Sequence, residues 1–153
     1  MGDYKLSTHF SFYELTDSNT FSNLVSENRS SALEFEHNLV LTAKALESQR
    51  EILGSPLKIS SGYRCSRLNN AIGGSTTSSH TRGQAADYKP IDVSPSDAFK
   101  KLKLNRSKLA FTKKIIFESI GNTWIHTESS EDKNCQTEFY TTTDGKSYTR
   151  VKL

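Results

Sequence analysis

A histidine and an aspartate stand seven residues apart in Ser78-Ser79-His80-Thr81-Arg82-Gly83-Gln84-Ala85-Ala86-Asp87, and a second histidine follows in Trp124-Ile125-His126. Two imidazoles and one carboxylate, with a fourth position left open, are the ligand set of a catalytic zinc ion. His80 and Asp87 reach one metal only if the chain folds back between them, because seven extended residues would span roughly 23 Å. Gly83 lies between them and supplies the backbone freedom for that bend. His9 and His37 fit no ligand spacing, and His37 sits beside charged residues on a helical stretch, as a solvated face does. Cys65 and Cys135 form no Cys-x-x-Cys pair and read as reduced thiols rather than as metal ligands or a bridge.

The elements that must position these groups follow from pattern. Ser11 and Glu14 have capping-box spacing before Leu15 and predict a short first helix. A polar stretch over 16–28 follows as loop or broken helix. Ser31 and Glu34 repeat the capping spacing, and Leu39, Ala43, Leu46 and Leu53 recur every three or four residues, predicting a long helix across the back of a sheet. Gly54 and Pro56 mark its end. Strands are predicted at 57–60, 85–88, 115–118 and 124–127, the last two joined near Gly121-Asn122. Residues 61–79, rich in Ser, Gly and Asn, read as a loop with at most a turn of helix, and such loops carry function on a rigid scaffold. Ser94-Pro95 predicts a capped helix running through Leu102. Asp144-Gly145 predicts a hairpin in the tail. The pattern is α+β, with helices packed on one side of a small, mainly antiparallel sheet.

A chain of 153 residues reads as one domain over 1–153, with 129–153 a C-terminal hairpin extension. It can bury a core without disulfides. The net charge of +3 is mild, and Lys and Arg are scattered apart from Lys100-Lys101 and Lys113-Lys114. That argues against a nucleic-acid partner and is compatible with attraction to an anionic surface. No stretch approaches the ~20 apolar residues of a membrane span, which predicts no membrane insertion. The N-terminus lacks an apolar signal-peptide core, which predicts synthesis in the cytoplasm.

The residues Ser78, His80, Gly83, Ala85 and Asp87, then Trp124 and His126, resemble the zinc D-alanyl-D-alanine carboxypeptidase family, whose pattern is Ser-x-His-x-x-Gly-x-Ala-x-Asp followed by Trp-x-His. Ile59-Ser60-Ser61-Gly62-Tyr63-Arg64, residues 68–75 and the opening segment 6–15 also resemble it, in the expected order from about residue 5 to residue 128. The family shares its fold with the Hedgehog signalling domain. The resemblance implies one zinc ion held by His80, Asp87 and His126, and peptidoglycan stem peptides as substrate. It implies hydrolysis of an amide next to a D-amino acid, by carboxypeptidase or cell-wall endopeptidase action. A protein without a signal peptide would reach the wall after release, as a phage lysin does, or as a virion component. A monomer is the default for a small hydrolase.

A general base is needed beside the metal. Family members place an acid shortly before the last histidine, but position 123 is Thr123, so the close form is missing. The resemblance points to Glu118, at the end of the preceding strand, with Glu128 the alternative on the face of His126. Arg64 matches the substrate-side arginine, a forked donor suited to a terminal carboxylate or an oxyanion. Ser78 either bonds substrate or braces its loop. Tyr63 either touches substrate or packs, and Trp124 either walls the cleft or packs. Lys113-Lys114 replaces an Asp-Gln pair usual in the branch, which bears on substrate preference. The rival reading is a non-catalytic, zinc-stabilised wall-binding module, since the Hedgehog relatives use the fold for recognition.

Overall fold

The structure is a computed structural model describing residues 2–153. Six strands form one sheet: β1 (Leu57–Ser61), β2 (Ala85–Pro90), β3 (Thr112–Ser119), β4 (Thr123–Ser129), β5 (Glu138–Thr142) and β6 (Thr149–Arg150). Their order is β1-β2-β4-β3-β5-β6. Every pairing is antiparallel except β3 with β5. Chain order explains the exception. β4 ends beside the start of β3, and residues 130–137 turn around that end, bonded to Phe111 and Thr112, so β5 rises in the direction of β3. The Asp144-Gly145 signal becomes the β5–β6 turn, where Asp144 Oδ1 accepts from Lys146 N and Ser147 N, both at 2.8 Å.

Four helices accompany the sheet: α1 (Val25–Ala32), α2 (Glu36–Leu53), α3 (Ser66–Ile72) and α4 (Pro95–Leu104). The apolar positions read for α2 are its buried face: Leu39, Ala43 and Leu46 are fully buried and Leu53 nearly so. Each of the three leucines contributes roughly 1.5–3 kcal/mol by leaving water. Gly54 closes α2 in the left-handed region at φ 60°. Ser94 caps α4 by accepting from Asp97 N. Phe99 of α4 packs on Phe117 of β3 and Phe139 of β5, at ring separations of 5.8 Å each. Alternation along the strands turns Tyr88, Ile115, Ile125 and Phe139 toward these helices. The opposite set, with Asp87, Glu118 and His126, faces a cleft. Among the described residues no helix is long and apolar enough to cross a membrane.

Two local expectations are corrected. Ser31 does not cap the long helix with Glu34. It lies inside α1, and its hydroxyl meets the Tyr63 hydroxyl at 2.6 Å. The chain enters α2 already helical through the 3-10 turn Leu33–Phe35, so Glu36 N bonds Leu33 O and no side-chain cap is required. Residues 61–79 hold α3, two turns rather than one. The Ser11–Glu14 box does form reciprocally, with Ser11 N donating to Glu14 Oε1 and Glu14 N to Ser11 Oγ, but it opens the 3-10 turn Glu14–Thr16. Cys65 and Cys135 are free thiols.

Candidate active site

Strand register sets the centre of the cleft. Asp87 of β2 stands opposite His126 of β4, and His126 stands opposite Ile116 of β3. His80 arrives from the 3-10 turn Ser79–Arg82, which ends at Gly83 with φ 70°. A Cβ at Gly83 would meet Leu39 Cγ at 3.2 Å and Phe35 Cβ at 3.3 Å, so both conformation and space favour glycine there. The turn is pinned from α2: Asn38 Nδ2 donates to Arg82 O at 2.9 Å and Thr42 Oγ1 to Gly83 O at 2.7 Å. Gln49, also on α2, donates to Thr127 Oγ1 and accepts from Tyr88 OH, tying the helix to β4 and β2 beneath the site.

These supports bring His80, Asp87 and His126 together, with one ligand atom of each within 4.8 Å of the others. Asp87 Oδ1 lies 2.8 Å from His126 Nδ1, and Asp87 Oδ2 lies 3.4 Å from His80 Nε2. The outward nitrogens are engaged as in a metal site. His80 Nδ1 is 2.7 Å from Gly62 O, which must accept, so the proton resides there and Nε2 presents its lone pair inward. His126 Nε2 is 2.9 Å from Glu128 Oε2, leaving Nδ1 to face the cluster. Outer partners of this kind fix tautomer and ring orientation in metal centres. The donor set fits a metal ion.

Electrostatics point the same way. Burial pushes the Asp87 carboxyl up, but His80 and His126 reverse this and hold it far below the usual range. Burial keeps His80 neutral. Burial opposes charge on His126 too, yet hydrogen bonds to Asp87 and Glu128 raise its pKa to about 10. Burial raises Glu128, and its bond to His126 overrides that, bringing it to about 2. The two flanking carboxylates thus favour a proton on His126.

Glu118 lines the same cleft, with Oε1 3.9 Å from His126 Nδ1. No donor among the described residues hydrogen-bonds its carboxylate. Burial, then the charge of Asp87, raises its pKa. Glu128, the alternative base, is instead occupied with the outer nitrogen of His126. Arg64 also lines the cleft, and its buried Nε has no partner among the described residues. Its loop is clamped by Asn28, a fully buried residue of α1 in the stretch that the sequence marks as loop or broken helix. Asn28 Nδ2 donates to Thr16 O and Tyr63 O, and Asn28 Oδ1 accepts from Cys65 N. Arg64 N itself donates to His80 O at 3.0 Å.

Ser78 lines the cleft and also braces, its hydroxyl accepting from His80 N at 3.3 Å. Trp124 forms part of the wall, with a buried, unpartnered Nε1. Tyr63 is placed otherwise than a substrate contact: it is only 2% exposed, packs on Phe35, and spends its hydroxyl on Ser31. The tight approach of Gly62 to Leu15 turns the neighbouring ring into the core. His9 pairs with Glu47 at 2.7 Å and His37 with Glu131 at 3.5 Å, both away from the cluster.

The cleft has a volume of about 1150 Å³. It is open enough for a peptide and carries a metal-competent triad, an unbonded carboxylate and a half-buried guanidinium. None of the curated proteins matches the chain. Residues 8–128, which contain all of these groups, match the family described as Peptidase M15. The chain belongs to the Peptidase M15 family of metallopeptidases.

Proposed function

We propose that the protein is a zinc-dependent peptidase that hydrolyses peptidoglycan stem peptides at an amide next to a D-amino acid. The observation that carries the reading is the His80–Asp87–His126 cluster with the unbonded Glu118 carboxylate beside it. Zinc bound there supplies a Lewis acid and lowers the pKa of water toward ~7. His80, Asp87 and His126 would hold the ion, with Gly62 O and Glu128 keeping the two rings in place. Glu118 accepts a proton from the attacking water at its carboxylate and returns it to the leaving amine. Arg64 donates its free Nε–H and guanidinium to the substrate's terminal carboxylate or to the developing oxyanion. Trp124 walls the cleft.

Mass spectrometry of purified peptidoglycan fragments incubated with protein and zinc tests this, with His80→Ala as control. Loss of one alanine from pentapeptide stems, absent in the control, identifies a carboxypeptidase. Cross-linked dimers falling to monomers identifies an endopeptidase. Unchanged fragments with zinc bound stoichiometrically would overturn catalysis and leave a wall-binding module.

A further inference from the structure

The cleft contains a second cation besides Arg64. Lys114, Ile116 and Glu118 alternate along β3 and all three line the cleft floor. Ile116 stands opposite His126. Two residues of strand span roughly 7 Å, so Lys114 lies about that far from the metal row on one side, and Glu118 equally far on the other. The Lys114 ammonium sits over the Tyr140 ring, 5.3 Å from its centroid. Its nearest carboxylate oxygen, Glu128 Oε1, is 3.9 Å away, beyond hydrogen-bond reach. Among the described residues nothing accepts a hydrogen bond from its three donors.

The backbone adds a second lysine. The β3–β4 register shifts between Thr112 and Lys114, so Lys113 is an inserted, bulged residue. A bulge re-aims its side chains, and here Lys113 and Lys114 both line a notch of about 340 Å³ that adjoins the cleft. Arg150 of β6 lines it too, but is paired with Glu138 at 3.2 Å. Glu128 already serves His126. The two lysines thus leave a net positive spot that opens on the substrate path.

We propose that Lys114, supported by Lys113, forms an anion subsite that holds a free carboxylate of the peptide substrate about two residues from the bond that is cut. An internal peptide residue offers such a group when it is a dicarboxylic residue or is linked through its side chain. The proposal rests on the peptidase reading for its substrate, and Arg64 and Lys114 then grip two carboxylates on either side of the reacting amide. Tyr140 holds the ammonium in place from β5, a strand outside the residues that match the family.

The test uses two synthetic stem peptides that differ only in whether the side-chain carboxylate is free or amidated. The single tryptophan, Trp124, lines the cleft and reports binding through its fluorescence, independently of turnover. The zinc-loaded wild type should bind the acid about tenfold more tightly than the amide, the size of one charge-assisted hydrogen bond, and the ratio should shrink with added salt. Lys114→Gln should bring the ratio to about one, while Lys114→Arg, which keeps the charge, should retain most of it. Thermal melts of both variants establish that they fold. Equal binding of acid and amide by the wild type, or a preference that survives Lys114→Gln, overturns the subsite. Binding preference without hydrolysis of either peptide overturns the peptidase reading and leaves the subsite standing.

Discussion

Zinc uptake by the metal-free protein should expel one proton, and the geometry identifies it. Without metal, His126 donates from Nδ1 to Asp87 at 2.8 Å and from Nε2 to Glu128 at 2.9 Å. Burial opposes that double protonation, but the two carboxylates raise the pKa to about 10. Coordination needs the Nδ1 lone pair, while Nε2–H stays on Glu128. His80 adds nothing to the proton count, since burial already keeps it neutral and its Nδ1–H stays on Gly62 O. At pH 7 a pKa of about 10 leaves roughly one molecule in a thousand with Nδ1 free. Apparent zinc affinity is lowered by about that factor, and it should rise about tenfold per pH unit between about pH 6 and 8. The sign is fixed by mass action: the proton competes with the metal, so affinity climbs as pH rises. Isothermal titration calorimetry in two buffers of different ionisation heat, at one pH, gives the proton count directly. Glu128→Gln removes one carboxylate partner and should reduce both the count at pH 7 and the pH slope. A wild-type protein that binds zinc with no proton release and a flat pH profile would refute the account.

Glu118→Gln should retain stoichiometric zinc and lose most turnover, a fall of about 10²–10⁴ for loss of a general base; full activity would exclude Glu118. Gly62→Ala places a Cβ 2.4 Å from Leu15 O, against backbone that also accepts from Tyr63 N. It should cost about 1–3 kcal/mol in urea unfolding and weaken zinc about 10–100-fold by displacing the carbonyl that orients His80. Unchanged stability and affinity would show the contact relaxes freely. Glu47 ties the N-terminal segment to α2. Burial raises its pKa, but hydrogen bonds from Ser7 and from His9 outweigh this and lower it overall. Its stabilisation is therefore complete above the ordinary glutamate range near pH 4.5 and fades as pH falls through the lower folded value. Glu47→Gln should cost about 1 kcal/mol at pH 7, and the cost should shrink as pH falls through the lowered folded value. A gap between variant and wild type that stays constant as pH falls below 4.5 would count against the ionised contact.

What the sequence made legible was local or periodic. The spacing of His80, Gly83 and Asp87 announced a bend because an extended chain could not serve one metal. The three-and-four recurrence of Leu39, Ala43, Leu46 and Leu53 announced the buried face of α2. Less visible were features set by distant partners. Ser31 has the type and spacing of a cap, yet a 3-10 turn leads into α2 without one and a tyrosine 32 residues away claims its hydroxyl. Tyr63 stood in a motif beside Arg64, but a backbone contact at Leu15 decided which way it turned. Lys114 read as a departure from pattern, and only strand alternation together with a bulge reveals that it shares the floor with Glu118. Glu128 reads in the sequence as a rival for proton transfer, and only its 2.9 Å contact with the far nitrogen of His126 distinguishes its place from that of Glu118. Motifs report which side chains converge, whereas the division of labour among neighbouring carboxylates depends on ångström differences.

The parallel seat of β5 bears on solubility. Residues matching the family stop at 128, yet β3 is flanked by β4 on one side and β5 on the other. A chain cut after β4 would leave the eight-residue β3, with Ile115, Ile116 and Phe117 at its middle, as an open edge. Such an edge invites strand-to-strand association between molecules. With β5 and β6 in place, that border of the sheet is instead the two-residue β6, exposed and carrying Arg150. The last 25 residues thus act as a gatekeeper against self-association as well as a wall of the cleft, and expression of this catalytic unit calls for keeping them.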